Sequence, residues 1–493
     1  MKRHISIALF LAILVSLTAC GGTEPGSADT TTAADDTTAE VVKDIYADLP
    51  TADHGGMEIN ILGYYAANAY GDKEFLYAEQ TGEVVDDALF QRNTETEERL
   101  GVKITFNTDN GDVDAYKLFN ATVMAGDDTF DMFAIKSYML GSIISQGTIR
   151  PWDGIEGINM EQPWYIQDAN ETMTFGGRTF GLFSDACGTN ITMCWSFIYN
   201  KRLAEEWQVK DLYQTVYDGK WTMDKVTELT KDVWVDVNGD SKPDAGDVYG
   251  LYTDKWATLD AFMLSHDIHA LTKDKDDLLV VDFYNDRVVE SFEKVYSLYW
   301  ENPGTYVELT APYNYVKNFA AGQGLFSPMY IQYLIEGDMR EMKDEYGVLP
   351  YPKLNEEQED YETYLLARFG MLALPMTLTA EKEAVIGEFT EVWSALSHKY
   401  LTPALYDVSL TAKGTRDEES IKMLEMIMDS RSYCFSTSLQ YGWAFPFTQD
   451  KTYRNLIGSS KTKDITSFYE SNRETADKYI EDLVAKLEDV IDG

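Results

Sequence analysis

Asp86-Asp-Ala-Leu-Phe-Gln-Arg-Asn-Thr-Glu-Thr-Glu-Glu-Arg-Leu100, then Gly101, then Val102-Lys-Ile-Thr-Phe106 carries a helix, a stop and a strand in one short stretch. Gly101 falls in the position just past a helix end that tolerates a left-handed backbone, so the helix is expected to stop there and a strand to begin at Val102. Upstream, Met57-Glu-Ile-Asn-Ile-Leu62 alternates in and out as a strand does. Downstream, Asp131-Met-Phe-Ala-Ile135 is a short apolar run of the buried, parallel kind. Strand, helix, strand, helix in this order predicts an α/β sheet, with ligand sites at the carboxyl ends of its strands. Two longer stripes follow, Val385, Ile386, Phe389, Val392, Trp393 and Leu396, and Ile480, Leu483, Val484, Leu487, Val490 and Ile491. Their helical spacing reads as core packing, without functional weight.

The chain has 493 residues, enough for two or three lobes with sizeable cores. Its formal net charge of −42 opposes a polyphosphate backbone and argues against nucleic acid as a partner. Aromatic residues make up 13% of the sequence, which excludes a wholly disordered acidic chain.

Lys2 and Arg3 precede an apolar run from Ile5 to Leu17, which ends in Leu17-Thr18-Ala19-Cys20. As a helix the run reaches only about 20 Å, short of a hydrocarbon core of about 30 Å, so it reads as a signal segment over 1–19. Leu-Thr-Ala-Cys resembles the bacterial lipobox, which implies that Cys20 becomes the lipidated first residue and tethers the protein to the outside of the bacterial membrane. The alternative is an ordinary secretory signal cleaved near Ala19. Residues 20–56 begin with a Gly, Thr, Ser, Ala, Asp and Glu-rich stretch that cannot bury enough surface to fold, and read as a flexible tether. Three cysteines remain, Cys187, Cys194 and Cys434. They read as core residues, with a Cys187 to Cys194 bridge as the alternative.

No GxSxG, HExxH, phosphate-loop or strand-linked GxGxxG motif is present. His266 and His269 could share a helical face, but no carboxylate or cysteine framework accompanies them at a zinc-like spacing. Paired carboxylates for glycoside hydrolysis are defined by distance in space, so counting acids leaves an enzyme open without supporting it. One metal motif is specific. Asp236, Asn238, Asp240, the Lys242 carbonyl, Asp244 and Asp247 occupy positions 1, 3, 5, 7, 9 and 12 of an EF-hand-like loop, a spacing that delivers the oxygens a calcium ion requires. Ser241 stands where Gly usually permits the sharp turn, and Asp247 is shorter than the usual Glu. A structural Ca²⁺ pinning the loop between a helix ending near Val235 and a strand at Val248 to Tyr252 is expected; the alternative is an unoccupied turn.

Several further stretches stand in a telling order: Glu79-Gln-Thr-Gly82 with Asp86-Asp-Ala and Gln91-Arg-Asn93; Asp131 to Lys136 leading to Gly147; Ser196-Phe-Ile-Tyr-Asn-Lys201; Lys220-Trp-Thr-Met-Asp-Lys225; Phe319-Ala-Ala-Gly-Gln-Gly-Leu-Phe326; and Gly347-Val-Leu-Pro-Tyr-Pro352. In this order, behind a lipobox and a tether, the chain resembles the extracellular solute-binding proteins of ABC importers, in the family-1 group that includes maltose-binding protein. The resemblance implies a two-lobed, periplasmic-binding-protein-like α/β fold with a hinge and an interlobe ligand cleft. Lobe 1 would comprise 57–170 plus 369–406, and lobe 2 would comprise 171–368 plus 407–493. It implies a monomeric receptor that closes around a carbohydrate and delivers it to permease subunits, whose transporter supplies the ATPase. Carried over segment by segment, the ligand contacts would be Tyr64, Tyr65, Lys136, Ser137, Tyr138, Asp185, Trp256, Tyr330, Arg368 and Trp443, with Trp256 and Trp443 as stacking platforms. Met193 falls near one familiar sugar-binding acid, which leaves the identity of the sugar open. The competing readings are the same fold binding a peptide or an organic acid, and a surface hydrolase or adhesin.

Overall fold

A computed structural model describes residues 44–64, 79–108, 110–335, 337–411, 417–441 and 445–492. The chain separates into an N-terminal unit, residues 1–47, of which only the turn at 44–47 is described, and a compact unit from Asp48 onward.

The opening motif forms as its residues dictate. β1 spans Met57–Leu62, the first helix Val84–Leu100, and β2 Val102–Asn107. Gly101 adopts φ 58°, and its N–H returns to the Glu97 carbonyl, which ends the helix and turns the chain into β2. β3 is Met132–Lys136, buried throughout. Asp131 stands just outside it and ties β1 to β3: its Oδ2 accepts the Asn60 N–H at 2.8 Å. With β4 (Ile149–Arg150) and a late strand, β14 (Gly370–Pro375), these make a sheet in the order β2-β1-β3-β14-β4, in which β2, β1 and β3 are parallel.

The second sheet takes its strands from the middle of the chain: β5 (Trp195–Asn200), β6 (Trp234–Val235), β7 (Val248–Asp254), β10 (Thr305–Glu308), β11 (Gly324–Tyr330) and β12 (Tyr346–Leu349). The order β10-β7-β11-β5-β12 has β10, β7 and β11 parallel and β5 reversed between β11 and β12; β6 pairs with β7. A hairpin, β8 (Leu271–Lys273) with β9 (Leu279–Val281), lies outside it. The chain leaves the second sheet through β13 (Thr363–Tyr364), which pairs with β15 (Arg431–Ser432), and enters β14 of the first.

Helices cover both sheets. All six stripe residues of the helix Ala380–Leu396 are buried. Gly387 sits where that helix meets the Glu156 backbone, and a Cβ there would lie 1.8 Å from the Glu156 carbonyl oxygen, so only glycine permits the approach. Ile480 and Leu483 of the C-terminal helix Ile465–Asp492 are likewise buried. Cys187, Cys194 and Cys434 are buried and unbridged. Among the described residues, no helix is long and apolar enough to cross a membrane.

Candidate ligand-binding cleft

The carboxyl ends of the parallel strands in both sheets carry aromatic and charged side chains. In the first sheet, β1 leads to Tyr64 and β3 ends at Lys136; the Lys136 ammonium lies 4.3 Å from the centre of the Tyr64 ring. Ser137 and Tyr138 follow in a single 3₁₀ turn. The Ser137 and Tyr138 N–H groups donate to Phe369 (2.9 Å) and Ala367 (3.1 Å), and the Ser137 hydroxyl to Ala367 as well, so the end of β3 is laced to the segment that enters β14. Tyr138 donates its hydroxyl to Asp112 at 3.0 Å, at the start of the helix Asp112–Met124. Burial and the Asp112 carboxylate hold the Tyr138 phenol far above its ordinary pKa, which keeps it a hydrogen-bond donor.

In the second sheet, β7 ends at Asp254, which is fully buried. Its Oδ1 accepts the Trp256 N–H at 2.9 Å and the Thr258 hydroxyl at 3.0 Å, and its Oδ2 accepts the Tyr313 N–H at 3.3 Å. One carboxylate thus braces two aromatic residues from different loops. Tyr313 holds φ 67°, a left-handed conformation costly for a bulky residue, and such strain clusters at binding sites. Its ring lies 5.7 Å from that of Tyr333 and 6.4 Å from that of Tyr330. Arg368, just before β14, places its guanidinium 5.9 Å from the Tyr138 ring of the first sheet.

No protein-family model and no curated protein matches the chain. Solved structures do. A cyclo/maltodextrin-binding protein complexed with maltotetraose is similar over 88% of this chain and 97% of its own, at 11% identity and a TM-score of 0.53. An ABC transporter solute-binding protein from Thermotoga lettingae, bound with α-D-tagatose, covers 87% of this chain and 99% of its own at 14% identity and TM-score 0.51. The GacH receptor of Streptomyces glaucescens, solved free and with acarbose, covers 89% and 99% at 10% identity and TM-score 0.51. The fold is that of the ABC solute-binding proteins.

Within this solute-binding-protein fold the expected contact residues divide. Tyr64, Lys136, Ser137, Tyr138, Trp256 and Arg368 stand at or beside the strand ends. Trp256 is partly exposed, with the Lys255 ammonium 4.9 Å from its ring. Tyr330, the last residue of β11, is fully buried, its ring 5.2 Å from that of Trp195 and 4.5 Å from that of the partly exposed Tyr333. Asp185 pairs with a residue of another segment: its Oδ2 lies 2.5 Å from His398 Nδ1 in the turn that ends the helix Ala380–Leu396. Tyr65, Trp443 and the lipidation candidate Cys20 lie outside the described residues. The sequence reading missed Asp254, Tyr313, Tyr333, Asp112 and Tyr441, whose N–H donates to the Tyr138 carbonyl at 3.1 Å. Asp254 had a legible signal, an acid two residues before an aromatic at a strand end; Tyr313 had none.

The acidic loop is bounded differently from expectation. The preceding helix, Met223–Thr230, ends early, because Trp234–Val235 forms β6 against β7 and makes the loop the tip of a hairpin. Asp236 accepts the N–H groups of Gly239 and Ser241, both at 2.7 Å, Asn238 that of Asp240, and Asp240 that of Lys242. Ser241 adopts φ 60°, the left-handed turn that glycine normally supplies at position 6. Asn238 donates to Asp244 at 2.9 Å, and Asp247 accepts from the Val237 N–H and the Trp234 indole. The carboxylates hold the loop backbone; they do not converge on one point as Asp267, His269 and Glu362 do.

Proposed function

We propose that the protein is a carbohydrate receptor of an ABC importer, binding a neutral oligosaccharide between its lobes and releasing it chemically unchanged. The observation that supports this reading is that the carboxyl ends of two separate sheets each carry a set of aromatic and polar side chains, Tyr64, Lys136 and Tyr138 in the first and Trp256, Tyr313 and Tyr333 in the second. Sugars present flat apolar ring faces and a rim of hydroxyls. Partly exposed Trp256, Tyr313 and Tyr333 suit the first, and Arg368, Lys136 and Tyr138 suit the second. We assign 57–170 plus 369–406 to one lobe and 171–368 plus 407–493 to the other. Closure around the ligand would shift an open-to-closed equilibrium and complete the surface that the permease subunits read. The protein would work as a monomer on the bacterial cell surface, held there by lipidated Cys20, and labelling with a fatty-acid analogue should mark the wild type but not Cys20→Ser.

Thermal-shift screening against neutral oligosaccharides tests the receptor reading, since a ligand at 100 Kd adds about 2.7 kcal/mol to stability. Stacking on one platform buries some tens of Å² at about 25 cal/mol per Å², so Trp256→Ala should weaken the binding of a hit about ten-fold in calorimetry. Unchanged affinity removes Trp256 from the site, and a cleaved sugar removes the receptor reading.

The 236–247 loop suits calcium: its donors are all oxygen, and its backbone already makes the left-handed turn at Ser241. Asp236, Asn238, Asp240, the Lys242 carbonyl, Asp244 and Asp247 would hold the ion, with a structural role at the hairpin tip. Chelation should lower the melting temperature and leave sugar affinity intact. If neither melting temperature nor metal content responds, the loop binds no ion.

A further inference from the structure

Between the end of the helix Ala257–Ser265 and the root of the β13–β15 ribbon, three metal-binding side chains converge from two distant parts of the chain. His269 Nε2, one oxygen of Asp267 and one of Glu362 all lie within 4.8 Å of one another, the sole such group among the described residues. His266 does not join them: it is fully buried, with Nδ1 against the Ser291 hydroxyl at 2.6 Å.

The spacings decide what the group is suited to. His269 Nε2 is 3.6 Å from Asp267 Oδ1 and 3.5 Å from Glu362 Oε2. A nitrogen and a carboxylate that bond through a proton approach to about 2.7 to 3.2 Å, so both contacts are too long for good hydrogen bonds. Ligands held about 2.0 to 2.1 Å from a tetrahedral ion stand about 3.4 Å apart, which matches both separations. Glu362 Oε2 is a buried atom that makes no hydrogen bond in the structure.

The surroundings fit an ion as well. Asp267 turns its second oxygen to the Arg287 guanidinium at 3.3 Å, and Arg287 is fixed in turn by the His266 carbonyl at 3.0 Å. Ser432 of β15 supports Glu362. Such outer partners orient carboxylate ligands. Asp267 holds φ 54°, a left-handed backbone conformation in the turn that follows the helix. His269 also lines a surface cavity of about 500 Å³, and the three side chains are each only partly buried, so the group is reachable from solvent.

We propose that Asp267, His269 and Glu362 form a binding site for a borderline divalent cation of the zinc class. One imidazole nitrogen with two carboxylate oxygens favours such an ion over calcium, which takes oxygen alone. The bound ion clips the turn after the helix Ala257–Ser265 to the strand through which the chain leaves the second sheet. Cys434 lines the same cavity and lies beside the His269 ring without joining the three converging atoms. It is a neighbour of the site and not a ligand.

The test is calorimetric titration of the chelator-stripped full chain with Zn²⁺ alone, and with Co²⁺ for its visible spectrum. The expected result is one equivalent of zinc and the intense bands of a tetrahedral cobalt site. His269→Ala and the near-isosteric Glu362→Gln should each weaken binding beyond the about 100-fold that loss of a supporting partner costs. Both should melt at the temperature of the stripped wild type, which keeps misfolding from mimicking ligand loss. Asp236→Asn and Cys434→Ser should bind zinc as the wild type does. The proposal is overturned if the wild type takes up no stoichiometric zinc, if both His269→Ala and Glu362→Gln bind it unchanged, or if Asp236→Asn or Cys434→Ser abolishes it.

Discussion

Asp254→Ala is expected to weaken oligosaccharide binding about 100-fold, more than the loss of any single stacking ring, because one carboxylate positions two of them. Asp254 accepts the Trp256 N–H, the Thr258 hydroxyl and the Tyr313 N–H from a fully buried position. Burial raises its pKa above the usual carboxylate value, and the bonds from Trp256, Tyr313 and Thr258 act against that rise. Without these bonds, nothing at Asp254 holds Tyr313 in its left-handed conformation, which costs on the order of 1 to 3 kcal/mol, and the Trp256 loop loses its anchor. Two platforms worth about 1 to 2 kcal/mol each then drift from register, which converts to about 100-fold in Kd. Calorimetry on Asp254→Ala, with Asp254→Asn retaining part of the brace and falling between, checks the argument. Wild-type affinity in a folded Asp254→Ala would show that the carboxylate supports the fold and not the site.

Lys382→Met should lower the free energy of unfolding by about 3 kcal/mol, because it leaves a buried carboxylate without its cation. Lys382 Nζ lies 2.6 Å from Asp131 Oδ1, and the Asp131 side chain is only 1% exposed. The other Asp131 oxygen accepts the Asn60 N–H, so this acid couples β1, the edge of β3 and the helix Ala380–Leu396. Methionine fills the lysine stem's volume and removes only the charge. The double variant with Asp131→Asn should recover part of the loss, since no uncompensated charge remains. Urea unfolding measures both. A loss below about 1 kcal/mol in the single variant would mean that solvent reaches Asp131 and screens it.

The local features of the chain are legible in its sequence. The Asp86 to Phe106 stretch reads as helix, stop and strand because periodicity and a left-handed residue at Gly101 are properties of neighbouring residues. The stripe from Val385 to Leu396 is buried for the same reason. The error at Val235 was also local in kind: β6 is two residues long, too short for alternation to show, and only its pairing with β7 makes it a strand.

The site depends on contacts that no local pattern encodes. Tyr64 with Lys136, Tyr138 with Arg368, and Asp254 with Tyr313 are each joined across long stretches of chain. Asp185 likewise meets His398 across more than two hundred residues of chain. His269 has no carboxylate framework within its own stretch of sequence, because Glu362 arrives from the segment before β13. Sequence alone determined which stretches become strands and helices and where strand ends would offer side chains, since backbone sterics and hydrophobic periodicity act between near neighbours. Tertiary structure alone decided which of those side chains meet, because strand order and the crossings between the two sheets set distances that sequence separation does not contain.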